Sequence, residues 1–165
     1  MDNDRNNLAP PAGQSKQEDD QEGDGDALAS RVTRTMMAQE GTARAWGLVL
    51  EEVRVGYARV SMRLRPDMIN GHRTAHGGMI FALADTAFAY ACNSRNRVTV
   101  AQQASILFLS AAREGETLVA EARESALSGR VGAYIVDVRT TEGRPVASFQ
   151  GLSRAIGGAV VETET

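Results

Sequence analysis

The sequence predicts an α+β fold in which a curled antiparallel sheet wraps one long central helix. Three observations carry this. Residues 77–92 are apolar on nearly every side, and from Met79 to Cys92 only Asp85 and Thr86 are more polar than tyrosine. Short segments with period-two patterning flank that stretch, two before it and three or four after it. No linker is long enough to divide residues 27–158, so one helix and one sheet must share a core. A helix with no polar face is covered only if the sheet curls around it.

The elements follow in chain order. Residues 1–30 hold eight acids against Arg5 and Lys16, a net of −6, and because the whole chain carries −3, residues 31–165 carry +3. The early residues are rich in Asn, Gln, Asp, Gly and Pro and almost free of apolar side chains, so residues 1–26 read as a disordered acidic leader. From Asp26 to Glu40, Leu28, Val32, Met36 and Met37 recur at helical spacing, with Gly41 as a stop. Trp46, Leu48 and Leu50 then alternate. After Gly56, Ala58, Val60, Met62 and Leu64 alternate with Arg59, Arg63 and Arg65, so a strand pair is predicted, ended at Arg65-Pro66-Asp67.

The central helix is predicted to start just after His76. Strands follow over 98–109, 118–127, 131–140 and 146–156, with turns at Glu114-Gly115, Ser128-Gly129-Arg130 and Glu142-Gly143. Gly157-Gly158 opens a tail over 159–165.

Composition excludes several classes. Every base after Lys16 is arginine, but no basic cluster is dense enough for nucleic acid. No charged start runs into an apolar stretch, and no stretch approaches the roughly 20 apolar residues of a membrane span. The single cysteine, Cys92, sits among alanines and fits a small core residue in a reducing cytoplasm.

The segment NGHRTAHGGMIFALADTAFAYAC (70–92) concentrates the chemistry. Gly77 and Gly78 fall in the first helical turn, where backbone N–H groups lack intrahelical partners. With the helix dipole they favour a carbonyl oxygen gaining negative charge, although a Gly-Gly pair also serves simply to tighten a turn. Asp85 in an apolar helix costs several kcal/mol unless it is paired or performs chemistry. Either it meets an arginine or hydroxyl in the core, or it is a base or nucleophile. It lies roughly 12 Å along the axis from Gly77, at ~1.5 Å per residue. One reacting group cannot touch both on the same helix. If both act on one substrate they come from two chains, with two antiparallel helices making two equivalent sites in a two-fold dimer.

Asn70, His76-Gly77-Gly78 and Asp85, set in GHRTAHGG and LADTAFAYACNS, resemble the hotdog-fold acyl-CoA thioesterases, specifically the phenylacetate-degradation branch. The likeness spans about residues 30–156. It implies that Gly77 donates its N–H to the thioester carbonyl and that the partner subunit's Asp85 is base or nucleophile. It implies that Asn70 and His76 hold the loop and place thioester or water, with Gly78 beside them. Gln102 and Gln103 are candidates for a polar residue lining the site from the next strand. The turn Ser128-Gly129-Arg130 corresponds to one near the coenzyme A arm, although a plain hairpin explains the same letters. Implied too are an aryl-acetyl or hydroxyphenylacetyl thioester, coenzyme A as part of the substrate with no separate cofactor or metal, a cytoplasmic location, and a homodimer at least, pairing into a tetramer. Met79, Phe81, Phe88 and Tyr90 either line an aryl pocket or belong to the core.

Rival chemistries leave other marks. No G-x-S-x-G elbow, HExxH pair or glycine-rich phosphate loop is present. A hotdog dehydratase or hydratase would use His72 or His76 as base, but its HFP-type loop is missing. A non-catalytic acyl-CoA sensor would carry a DNA-binding segment, for which an acidic leader is poorly suited.

Overall fold

The computed structural model describes residues 14–163. Its centre is helix α3, Gly77–Asn93, about 26 Å long at 1.5 Å per residue. Alanine and leucine favour the helix, and Ile80, Leu83, Ala84, Ala87, Phe88, Tyr90 and Ala91 bury their side chains. Before it come α1 (Gln14–Gln39), α2 (Gly41–Trp46), β1 (Leu48–Arg54) and β2 (Tyr57–Arg63). After it come β3 (Thr99–Phe108), β4 (Thr117–Ser128), β5 (Val131–Thr140) and β6 (Pro145–Ala155). Each expected strand is present, with ends within about two residues, the usual uncertainty at element ends, except that β1 runs on to Arg54 past Leu50, and four strands follow the helix.

The strands form one antiparallel sheet in the order β1-β2-β4-β5-β6-β3. Alternation puts Val60 and Met62, Ala120 and Ala122, Val136 and Val138, and Phe149 on the inner face, all essentially inaccessible. Phe88 from α3 meets Tyr134 and Phe149 with ring centroids 5.3 and 5.8 Å apart, the tilted geometry that aromatic pairs prefer. Gly151 on β6 makes room for it, because a Cβ there would lie 2.8–3.0 Å from the Phe88 ring. Gly151→Ala is therefore expected to cost about 1–3 kcal/mol, the usual penalty of overpacking. A denaturant titration checks this, and an unchanged midpoint would show that the ring has room to move.

Three expectations change. Residues 14–26, read as leader, are helical, because α1 begins twelve residues before Asp26. The apolar pattern that marked the helix begins only where α1 meets the body, and Gln14, Gln17, Glu18, Gln21 and Glu22 before it favour helix without a core-facing stripe. Residues 1–13 of the expected leader lie outside the described residues. α1 ends at Gln39, beside the Gly41 expected to stop it, but Gly41 opens a second helix, α2, and Trp46 closes α2 and is not in a strand. α2 in turn ends at Gly47, left-handed at φ 67°, the usual glycine stop.

The expected tail is tied down as far as Glu162. Asn96, itself left-handed at φ 55°, accepts from the N–H groups of Val160 and Val161 through Oδ1 and donates to the Val161 carbonyl. Arg31 donates to the Glu162 carbonyl at 2.9 Å. These are backbone groups satisfied by side chains far away in sequence, which no local pattern reveals. Among the described residues no helix is long and apolar enough to cross a membrane.

Among the described residues β1 and β3 are the edge strands, paired on one side only, to β2 and β6. At the β3 edge Val100, Leu107, Phe108 and, just beyond it, Leu109 are exposed, Leu107 by 68%. The side of α3 carrying Gly78, Ala82, Asp85 and Ala89 is likewise only partly covered. The helix expected to be enclosed on nearly every side thus keeps one open face, because the sheet of a single chain does not close around it.

Candidate functional site

The loop before α3 is organised by Asn70. Its Oδ1 accepts from the backbone N–H groups of His72 (2.9 Å) and Thr74 (3.2 Å), and its Nδ2 donates to Thr74 Oγ1 at 3.0 Å. Backbone bonds from Asn70 to the Thr74 carbonyl and from Arg73 to the Asn70 carbonyl close the turn. This is the asparagine turn chemistry that holds a loop without regular structure. The N–H groups of Ala75 and His76 then bond the carbonyls of Ala112 and Met68, fixing the entry to α3.

His76 caps the helix. Its Nδ1 accepts from the Gly78 N–H at 2.9 Å, and a ring nitrogen that accepts carries no proton, so the neutral ring holds its proton on Nε2. Its carbonyl accepts from Met79 and Ile80. Of the two glycine amides expected to be free, Gly78's is therefore used by the cap. The Gly77 N–H has no acceptor among the described residues. His72 is exposed on the loop.

The Gly77 amide borders a cleft of about 400 Å³ lined by Asn70, Thr74, Ile80, Phe108 and residues 109–112. Its far wall is stapled by Arg144, which donates to Ser110 Oγ, the Ala111 carbonyl and Glu116. Glu116 in turn accepts from the Arg113 N–H and is held well below the usual carboxylate range by that bond and by Arg144. Phe108 reaches across to Gly77, with Cζ 3.0 Å from the place a Cβ would occupy.

Asp85 lies eight residues further along α3, about 12 Å by the helical rise, and does not share that cleft. It is half-buried on the open helix face. No hydrogen-bond donor and no cation pairs with it among the described residues, so none of the described arginines or hydroxyls satisfies it. Burial pushes its carboxyl up, and the nearby negative charge of Glu40 adds to this. Glu40, at the α1–α2 junction, accepts from the buried Tyr90 hydroxyl at 2.9 Å and from Thr42.

The remaining candidates lie elsewhere. Gln102 and Gln103 are exposed on β3, where the register slips between Ala101 and Gln103 and leaves Gln102 in a bulge. Ser128, Gly129 and Arg130 form the β4–β5 turn, with Gly129 left-handed at φ 59° and Arg130 donating to the Ala155 carbonyl. Gly129, Arg130, Arg95 and Arg97 surround a small cavity beside Cys92, at the end of α3 opposite Gly77. Cys92 is inert there, its thiol pushed up to about 12 chiefly by burial. Arg95 is bound to Glu124, which also accepts from Tyr134. Phe88 and Tyr90 are core residues. The structure thus brings Asn70, His76 and Gly77 together at one end of α3, sets Asp85 at its middle, and puts the arginine turn at the other end.

Phe108, Glu40 and Arg144 were not singled out by sequence. Phe108 reads as the last apolar residue of a strand, and Glu40 and Arg144 as surface charges in turns.

Comparison with known proteins is consistent across sequence and structure. Residues 72–147 match the model of the thioesterase superfamily. The acyl-coenzyme A thioesterase PaaI of Escherichia coli is 38% identical over 125 residues, covering 76% of this chain and 89% of that protein. The structure of PaaI, from the phenylacetic acid degradation operon of E. coli, superposes with a TM-score of 0.80 at 36% identity, over 81% of this chain and 97% of that one. The TT0310 protein from Thermus thermophilus superposes with a TM-score of 0.68 at 37% identity, over 71% of this chain and 98% of that one.

Proposed function

The chain belongs to the PaaI-like branch of the hotdog-fold thioesterase superfamily, a thioester hydrolase of acyl-CoA type, and we propose that it cleaves arylacetyl or hydroxyphenylacetyl coenzyme A at a site shared by two subunits. The observation that carries the shared site is Asp85: a carboxylate without a partner among the described residues, on a helix face they leave open, about 12 Å from the Gly77 amide of the first turn.

In this reading two copies pack with their α3 helices antiparallel. The apolar edge of β3 and the open side of α3, carrying Leu107, Ala82 and Ala89, are covered by the partner, removing a long free strand edge. Each site then joins Gly77 of one chain to Asp85 of the other. Asp85 takes a proton from water as the oxygen adds to the thioester carbon. The carbonyl oxygen gains negative charge and accepts from the Gly77 N–H. The intermediate collapses, the C–S bond breaks, and the sulfur leaves to be protonated as free thiol. Direct attack by Asp85, forming an anhydride that water then cleaves, uses the same geometry.

Asn70 and His76 act by holding the loop and the cap, and so the direction of the Gly77 amide. Antiparallel packing also brings the arginine turn of one chain toward the cleft of the other. Arg130, with Arg95 and Arg97, offers charge for the phosphates of coenzyme A, and Gln102 or Gln103 a polar contact beside the thioester. Coenzyme A enters as substrate and no separate cofactor is required. The phenylacetic acid degradation operon of E. coli PaaI favours the arylacetyl class, and a lone buried Cys92 suits a cytoplasmic setting. Pairing of dimers into a tetramer extends the same reading.

Free-thiol release from a panel of acyl-CoAs tests the substrate class. Phenylacetyl-CoA is expected to give a kcat/KM at least about tenfold above acetyl-CoA, roughly 1.4 kcal/mol of preference for a buried ring. Equal values would refute the aryl assignment. Light scattering is expected to give a multiple of 17.7 kDa, and an active monomer would refute the shared site.

A further inference from the structure

We propose that Phe108 is a specificity-determining residue, a flat aromatic wall beside the Gly77 amide that selects acyl groups carrying an aryl ring on the carbon next to the carbonyl. The inference rests on the reading that Gly77 binds the thioester oxygen, and it names the residue that recognises the acyl group.

The ring approaches Gly77 tip first. From the Cβ position of residue 77, Phe108 Cζ is 3.0 Å away and the two Cε atoms 3.5 and 3.6 Å. Phe108 is 54% exposed although wholly apolar. It is the last residue of β3, where pairing with Ala147 holds its backbone, and it lines the same cleft as Gly77 and Ile80. The ring is thus held at its base by the sheet, meets a glycine at its tip, and forms part of the wall of the cleft beside the oxyanion donor.

The distances then fit one acyl class. A carbonyl oxygen accepting from the Gly77 N–H sits about 2.9 Å from that nitrogen. The carbonyl carbon follows at about 4 Å and the α-carbon about 1.5 Å beyond. An aryl group on that α-carbon extends into the cleft that Phe108 lines, where tilted aromatic pairs at roughly 4.5–7 Å gain energy beyond simple burial. An acetyl group places nothing there, and a short alkyl chain gains burial without the aromatic term.

The test compares kcat/KM for phenylacetyl-CoA and butyryl-CoA in the full-length wild type, Phe108→Ala, Phe108→Leu and Phe108→Tyr. The phenylacetyl-to-butyryl ratio is expected to fall about tenfold in Phe108→Ala, to fall in Phe108→Leu, and to stay near wild type in Phe108→Tyr, which keeps the ring. Phe108→Leu preserves bulk, so the comparison survives if the alanine variant folds poorly. An unchanged ratio in both ring-less variants, or an equal loss for both substrates, would overturn the assignment, the second pattern marking a prop for the helix or a contact to coenzyme A. Asp85→Asn, run alongside, separates the levels. If it keeps wild-type turnover, the underlying site reading fails. If it is inactive while the Phe108 ratio does not move, only the selectivity role fails.

Discussion

Asp85→Asn is expected to lower thioester turnover by about 10²-fold or more while the protein stays folded and assembled, because a positioned base contributes on that order. Asparagine matches aspartate in shape, and Asp85 makes no hydrogen bond among the described residues, so the exchange removes a proton acceptor and little else. Full activity in the variant would remove Asp85 from the chemistry. The pH profile gives an independent reading. Burial first, and Glu40's charge second, raise the Asp85 carboxyl. A base works only when ionised, so a raised carboxyl loses activity at a higher pH on acidification than an ordinary aspartate would. The acid limb of kcat is therefore expected above the usual aspartate range. Glu40→Gln keeps an acceptor for the Tyr90 hydroxyl and removes the charge, so the limb is expected to move to lower pH. A limb that does not move would show that Glu40 is too well screened to matter.

Substituting Gly77 produces the second large effect, and with it the sharpest test of a shared site. A Cβ at residue 77 meets Phe108 at 3.0 Å, so Gly77→Val forces either the ring or the helix start to shift. Losing one well-placed oxyanion donor costs about 10²–10³-fold in kcat, and Gly77→Val is expected to fall in that range. Each variant alone has two broken sites per dimer. Mixed at equal amounts and allowed to reassort, half of the dimers pair a Gly77→Val chain with an Asp85→Asn chain. Such a dimer has one site with both lesions and one with neither, so activity is expected to recover to about a quarter of wild type. No recovery, with mixed dimers verified by mass, would show that Gly77 and Asp85 of the same chain act together.

Much of this was legible in the sequence because it is local. The span of α3, the four strands after it and the turns at Gly115, Gly129 and Gly143 follow from periodicity and from residues that tolerate left-handed backbone. Asn70, His76, Gly77 and Asp85 were visible as unusual residue types within sixteen positions. Contacts between distant segments were not legible. The sequence shows His76 and two glycines, but only the folded loop decides that His76 takes Gly78's amide and leaves Gly77's. Phe108 is one apolar letter in a strand until the sheet carries it to Gly77. Arg144 and Glu116 are turn residues far apart in the chain until they meet across the loop after β3. The helical part of the expected leader was missed for another reason: apolar spacing marks where a helix packs, not how far it continues beyond the packing.

The strand order also sets a timetable for biogenesis. β3 leaves the ribosome immediately after α3, yet its only partner in the sheet is β6, which ends at Ala155. Through the synthesis of some forty intervening residues the most apolar-edged strand of the molecule has nothing to pair with, and long-range pairings of this kind form late. It can present a regular edge to a second chain only once the last strand has docked. An edge whose one neighbour in the sheet is made this late is the last part of the sheet to become regular.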